Sequence, residues 1–138
     1  MMQIKNVYDV AARSMSSQMT RLNTIASNIA NAQSVATTKE DAFRAIRPVF
    51  EIDYAHDARE SGLSTTSVKD IVSLDREPAK SYRPDHPLAD KDGFVYEAAV
   101  NVDEEMVEMM EASRQYQNTL EVVSTLRTLA SRTVKMGQ

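Results

Sequence analysis

The sequence predicts a mainly α protein: long N- and C-terminal helices paired as a coiled-coil-like rod, with a small irregular and partly β segment between them. Three observations predict it. All four prolines and two of the three glycines fall between Pro48 and Gly93, and the third glycine, Gly137, sits beside the C-terminus. Helix breakers are therefore confined to the middle and the very end. Apolar residues recur in alternating steps of four and three on both flanks. At 1.5 Å per residue the flanks make helices on the order of 43 Å and 53 Å, longer than a compact globule needs. The organisation that follows is an N-terminal axial helix over residues 1–32, a loop and short-strand segment over 33–100, and a C-terminal axial helix over 101–138.

The N-terminal rhythm runs through Ile4, Tyr8, Ala11, Met15, Gln18, Leu22, Ile25, Ile29 and Ala32. Gln18 is its one polar member, so the seam holds for about four heptads. Arg13, Ser16, Ser17, Arg21, Asn23 and Asn28 lie between those positions and suit a wetter face.

The C-terminal helix has a start signal. Asn101 is a good cap, and with Glu104 three residues on it resembles a capping box. Val102, Met106, Met109, Ser113, Tyr116, Leu120 and Val123 continue in four-three steps, after which the apolar set slips to Leu126, Leu129 and Thr133. Such a slip marks a change in which partner the helix faces, or a local loss of supercoil. Glu104, Glu105, Glu108 and Glu111 read as a solvated acidic face near the start, and Arg127, Arg132 and Lys135 occupy the late turns. Both signs suit the helix dipole, and Gly137 ends the helix. The residues expected to form an assembly seam are Met15, Leu22, Ile25 and Ile29 on the first helix, with Met106, Met109, Tyr116, Leu120 and Val123 on the second. Burying each such Leu, Ile or Met is worth about 1.5–3 kcal/mol, and stripes this long exceed what one antiparallel pair conceals, so the helices need partners.

Short apolar runs punctuate the middle. Phe43 to Ile52 surrounds Pro48, which limits it to an edge or a break. Val68 to Leu74 ends at Asp75-Arg76-Glu77-Pro78, and Phe94-Val95-Tyr96 is entered through the hairpin-type dipeptide Asp92-Gly93. Gln33 to Asp41 and His56 to Ser61 are polar and expected to be mobile.

Composition narrows the function classes. Sixteen scattered basic residues against twenty acidic ones give a net charge of −4, with no basic run to hold phosphates. The absence of Trp weakens any base-stacking role. The absence of Cys removes disulfides, thiolate metal sites and thiol nucleophiles. No apolar run approaches bilayer length, and the start lacks the pattern of a cleavable secretory signal. Asp90-Lys91-Asp92-Gly93 echoes part of a calcium loop, but the loop rule puts Leu88 and Ala99 at ligand positions, so a turn is the better reading. The Glu cluster lacks the Glu-x-x-His partners of a bundle metal site. His86 and Asp90 could in principle make a general base in a hydrolase, yet no nucleophile is placed beside them, and a turn histidine against Pro87 accounts for the pattern. No metal, cofactor or small-molecule substrate is expected. A closed dimeric helical adaptor is the other competing class.

Ser14 to Ala32, reading SMSSQMTRLNTIASNIANA, resembles the N-terminal signature of the bacterial flagellar rod, hook and hook-associated axial proteins. Its core is Arg21-Leu22-Asn23 followed by Ala26-Ser27-Asn28-Ile29-Ala30-Asn31-Ala32. Phe43-Arg44, Val49-Phe50-Glu51, Pro84-Asp85-His86-Pro87, the stretch from Ala89 to Val95, Val100-Asn101-Val102 and Ala112 to Tyr116 match as well, so the resemblance spans nearly the whole chain. Two departures are Lys39-Glu40-Asp41-Ala42, where the family often carries Gly and Pro, and Ala99, where it usually has Pro. The resemblance implies a structural subunit of the proximal rod, exported by the flagellar type III apparatus. Its terminal helices would form the inner layer of a helical tube around the export channel and transmit torque across the periplasm. The partners it implies are the other proximal rod proteins, the rod-to-ring adaptor protein, the distal rod protein, the membrane ring and the export apparatus.

Overall fold

With no proline in either flank, each can run as one uninterrupted helix. The computed structural model describes residues 2–54 and 64–137. It contains α1 (Met2–Asn31) and, at the other end, α2 (Val102–Met136), of 30 and 35 residues. The mainly α class with a small β middle is what the structure has. The two helices lie side by side and antiparallel, since Gln18 meets Gln115, Arg21 meets Glu108 and Asn28 meets Glu105.

Asn101 caps α2 from an extended backbone, its Oδ1 accepting the N–H groups of Asp103 and Glu104. The expected return bond of a capping box is not made. Glu104 instead takes a bidentate pair from Arg76 at 2.8 and 2.9 Å, a stronger charge-assisted contact than one N–H could offer. Gly137 follows the last turn with φ −89°, so the helix stops without a left-handed cap.

Among the described residues, five strands lie between the helices: β1 (Val35–Ala36), β2 (Ile46–Tyr54), β3 (Ser64–Ser73), β4 (Lys80–Tyr82) and β5 (Phe94–Glu97). Strands β2 and β3 form an antiparallel ribbon running from Ile46 opposite Ser73 to Tyr54 opposite Ser64. Pro48 is tolerated there because each strand of a two-stranded ribbon keeps a free edge. Lys69 is the extra residue between the Val49–Asp70 and Phe50–Val68 pairs, a bulge that twists the ribbon. The second sheet has the order β1-β5-β4, all antiparallel.

The stretch Gln33 to Asp41 is a correction to the expected mobile connector. Val35 and Ala36 pair with Glu97 and Tyr96, Ala98 donates its N–H to Ser34 at 3.0 Å, and Thr38 and Asp41 close a side-chain turn. Strand β5 otherwise presents an open edge, and even two residues of extended chain satisfy it. The connector His56 to Ser61 lies outside the described residues. Residues 43–45 join the two sheets through Ala99, whose N–H reaches Phe43 at 2.7 Å and whose carbonyl accepts from Ala45. Proline at 99 would forfeit the first of these bonds, which gives the alanine there a physical role.

Asp92-Gly93 does not form a tight hairpin. Residues 83–93 make a longer loop organised by Asp90, whose Oδ1 accepts from the N–H groups of Asp92 and Phe94. Gly93 has φ +83°, and a Cβ there would come within 2.9 Å of the Tyr82 ring and 3.1 Å of Pro84 Cβ. Gly93→Ala is accordingly expected to cost about 1–3 kcal/mol, read as a lowered thermal midpoint.

The core is small. Ala11 and Ile25 of α1, Ala112 of α2, and Ala42, Ala45 and Val95 of the middle are buried, while many larger apolar side chains stay in solvent.

Candidate assembly face and the polar joint beneath it

The expected seam residues do not share one environment. Ile25 is wholly buried, and Met15, Leu22, Ile29, Met109, Tyr116 and Val123 are half-buried. Met106 and Leu120 are 56% and 50% exposed and turn away from the helix pair. Across the interface Gln18 Nε2 donates to Gln115 Oε1 at 2.9 Å, so the one polar seam position of α1 is matched by a polar residue of α2.

Where α1 ends, the helices and the ribbon meet in a buried polar joint. Asn28 lies three residues after Ile25 and beside Ile29, so the phase that buries those two buries Asn28 as well. Its amide behaves like a neighbouring strand: Oδ1 accepts the Ile46 N–H at 2.8 Å and Nδ2 donates to the Ile46 carbonyl at 2.9 Å. Nδ2 also donates to Glu105 Oε2 at 3.0 Å. Glu105 is fully buried, and Arg47, the next residue of the ribbon, donates Nη1 to the same oxygen at 2.9 Å. Arg47 Nη2 and Glu105 Oε1 approach to 2.6 Å, off the hydrogen-bond direction, so these two atoms satisfy each other by charge. One side chain from each helix and two successive ribbon residues are thus locked together. Asn28 and Ser17 are not on a wetter face, and Glu105 is not on a solvated one: each is itself buried and hydrogen-bonded, Ser17 donating to the Thr66 carbonyl at 3.2 Å. Burying a carboxylate without partners is costly, and here a guanidinium and an amide together supply them.

Around the joint sits a wetter ring of charge. Arg21 pairs with Glu108 and lies 3.7 Å from Glu111. The hydrogen bonds from Arg76 hold the Glu104 carboxyl below the usual carboxylate range, its partial burial opposing them, and Glu104 in turn raises the Arg76 guanidinium. Lys39 and Glu77 shift each other in the same senses. A lowered carboxyl contributes stability that is fully present above its unfolded value and is lost as pH falls through its folded value. Acid denaturation should therefore weaken the Arg76–Glu104 clamp, and Glu104→Gln is expected to flatten the acid limb of a stability–pH curve without changing its neutral limb in slope.

The turn residues that invited catalytic readings are engaged locally. His86 Nδ1 accepts the Leu88 N–H at 3.1 Å, and the Asp90 carboxylate is committed to the loop amides described above. Among the described residues no group of His, Asp and Glu is arranged to hold a metal ion, and no helix is long and apolar enough to cross a membrane.

Outside the joint, α2 is apolar on more than its buried side. At about 100° per residue, Val102, Met106, Met110 and Leu120 fall in one exposed stripe, and Val107, Val122, Leu129 and Met136 in a second. The side turned to α1 carries Ala112, Tyr116 and Val123. The three directions are roughly 100–140° apart on that wheel. Glu121, Thr125, Thr128 and Arg132 make a polar strip between the two exposed stripes.

Residues 91–136, which include this whole helix, match the family model described as Flagellar basal body rod FlgEFG protein C-terminal. Over 137 residues the chain is 38% identical to the flagellar basal-body rod protein FlgC of Salmonella typhimurium, covering 99% of this chain and 100% of the relative. The chain belongs to the flagellar basal-body rod protein FlgC family. FlgC of Escherichia coli O6:H1 is 36% identical over 137 residues, and FlgC of Aquifex aeolicus is 32% identical over 136 residues with 96% of each chain covered. In this FlgC-family chain the N-terminal signature places Asn28 at the joint and Arg21 in the charged ring. Arg47 and Arg76, the cationic halves of the joint and its clamp, were not legible as partners, because long-range pairing leaves no local spacing. The signal for Asn28 was present: an amide on the very face that Ile25 and Ile29 bury.

Proposed function

We propose that this chain is a structural subunit of the proximal rod of the bacterial flagellar basal body, assembling through α1 and α2 into a helical tube that surrounds the export channel and transmits torque across the periplasm. The observation that carries this reading is that α2 has three apolar stripes and its partner helix covers one. A closed dimer would need one further stripe. Two, set well short of opposite each other, suit neighbours on both sides of a curved array, and contacts between unlike faces propagate without closing. The polar strip between them then faces the interior of the curve, as a wet channel requires. Each exposed Leu, Val or Met that a neighbour buries contributes up to about 1.5–3 kcal/mol, which rewards assembly over the lone chain. Long helices held on several sides resist twisting, which is what a drive shaft needs.

The partners proposed are the other proximal rod proteins, the rod-to-ring adaptor protein, the distal rod protein and the membrane ring, with entry through the flagellar type III export apparatus. Of the seam residues, Met106 and Leu120 are offered to neighbours directly. Ile25 and Leu22 serve by fixing the helix pair, so Leu22→Asp strikes pairing and assembly together. The cleaner test alters the outer surface alone. Val122→Asp with Leu129→Asp, at positions 54% and 53% exposed, should leave the circular dichroism and melting of the purified chain unchanged while abolishing motility and removing the chain from isolated basal bodies. A motile strain whose basal bodies retain the doubly substituted chain would contradict the assignment.

A further inference from the structure

The two exposed stripes of α2 differ in chemistry. Valine and leucine contribute to both, but the first stripe carries thioethers at its centre, Met106 and Met110, between Val102 and Leu120. The second is valine and leucine except for Met136, the last residue of the helix. Met106 and Met110 are 56% and 65% exposed, and at a spacing of i, i+4 their side chains are neighbours on one face. Met109, between them in sequence, is half-buried, as is Met15 of α1. Nothing in the packing of the lone chain calls for sulfur at 106 and 110: both side chains stand in solvent, and leucine matches methionine in helix propensity and volume.

We infer that Met106 and Met110 are a paired oxidation site, through which a hydroperoxide takes the first stripe out of use before assembly. The inference rests on the rod reading above and adds a chemical control to one of its surfaces. Each thioether sulfur attacks one oxygen of hydrogen peroxide. The O–O bond breaks, an S–O bond forms, the sulfur is oxidised by two electrons, and the rest of the peroxide leaves as water. The product is a polar, chiral sulfoxide where the side chain was apolar and flexible. Two such groups one turn apart put polar surface at the centre of the stripe, and an apolar neighbour could cover it only by stripping its water. Both side chains are in solvent beforehand, so the lone chain loses no packing and its fold is unchanged. The valine and leucine body of the second stripe has no group that reacts. A copy whose first stripe is already covered has its sulfurs shielded, which confines the chemistry to the unassembled chain.

The chain has no cysteine, so methionine is its only readily oxidised sulfur. The first measurement treats the full purified chain with hydrogen peroxide and follows each methionine by peptide mass. Met106 and Met110 should each gain one oxygen several-fold faster than Met109 and Met15, with circular dichroism and melting midpoint unchanged. The second exposes cells building new rods to sublethal hydrogen peroxide and measures the chain in isolated basal bodies. It compares the unsubstituted chain with Met106→Leu, Met110→Leu. Newly incorporated unsubstituted chain should fall several-fold, and what is incorporated should carry no oxygen at 106 and 110. The leucine chain, whatever its starting level, should not fall. Oxidation of Met109 as fast as Met110, loss of structure on oxidation, an equal fall of both chains, or a leucine chain absent from basal bodies without peroxide would each overturn the oxidation switch and leave the rod reading standing. If the unsubstituted chain is absent from basal bodies of untreated cells, the rod reading fails and the switch with it.

Discussion

Glu105→Ala should destabilise the isolated chain by about 3–5 kcal/mol, because it strips the buried Arg47 and Asn28 of their common partner. The measurement is a urea midpoint followed by circular dichroism. Glu111→Ala provides the contrast: its carboxylate is 54% exposed and its pairing with Arg21 is long, so the loss stays under about 1 kcal/mol. The argument turns on what is left behind. Removing both charges at once, as Arg47→Met with Glu105→Leu, should cost less than Glu105→Ala alone, since no unpaired charge remains in the interior. If Glu105→Ala proves as mild as Glu111→Ala, the joint is not what holds ribbon to helices. The pair's benefit is then one of position. An apolar contact between α2 and the ribbon could slide by a residue, whereas an arginine, an amide and a carboxylate meet in one register.

Much of this was legible in the sequence, for a physical reason. Helices announce themselves locally: the absence of proline from both flanks, the Asn101 cap and the four-three rhythm each need only a few neighbouring residues. The two helices and the strands around Pro48, Val68 and Val95 therefore emerge where the pattern puts them. Phase is harder. The rhythm places Met106 and Leu120 with Met109 and Val123, yet the helix is apolar on three sides, and nothing local says which side α1 takes. Burial of polar residues is harder still. Ser17 and Glu105 look like surface because their partners, Thr66 and Arg47, lie 49 and 58 positions away and on other elements, and the phase that marks Asn28 as buried does not name its partner Ile46. Strand β1 was missed for a related reason. Val35-Ala36 is too short to have a period, and what makes it a strand is the edge that β5 offers.

Asn28→Leu keeps the volume of the side chain but none of its bonds, and it should cost about 3 kcal/mol or more. Three groups lose a partner, the N–H and carbonyl of Ile46 and one oxygen of Glu105, at about 1–3 kcal/mol each and less than additively. The pattern of loss is more telling than its size. Leucine at 28 still packs between Ile25 and Ile29, so α1 and α2 keep their apolar contact while the ribbon loses its anchor. Hydrogen exchange should then show Ile46 and its neighbours in β2 and β3 opening well before the amides of α1. Uniform loss of protection across helices and ribbon would instead assign Asn28 to helix pairing. If the ribbon opens selectively, the signature residue's role is to fasten an intervening segment to the two helices, so that an assembly built on those helices also carries the ribbon in fixed register.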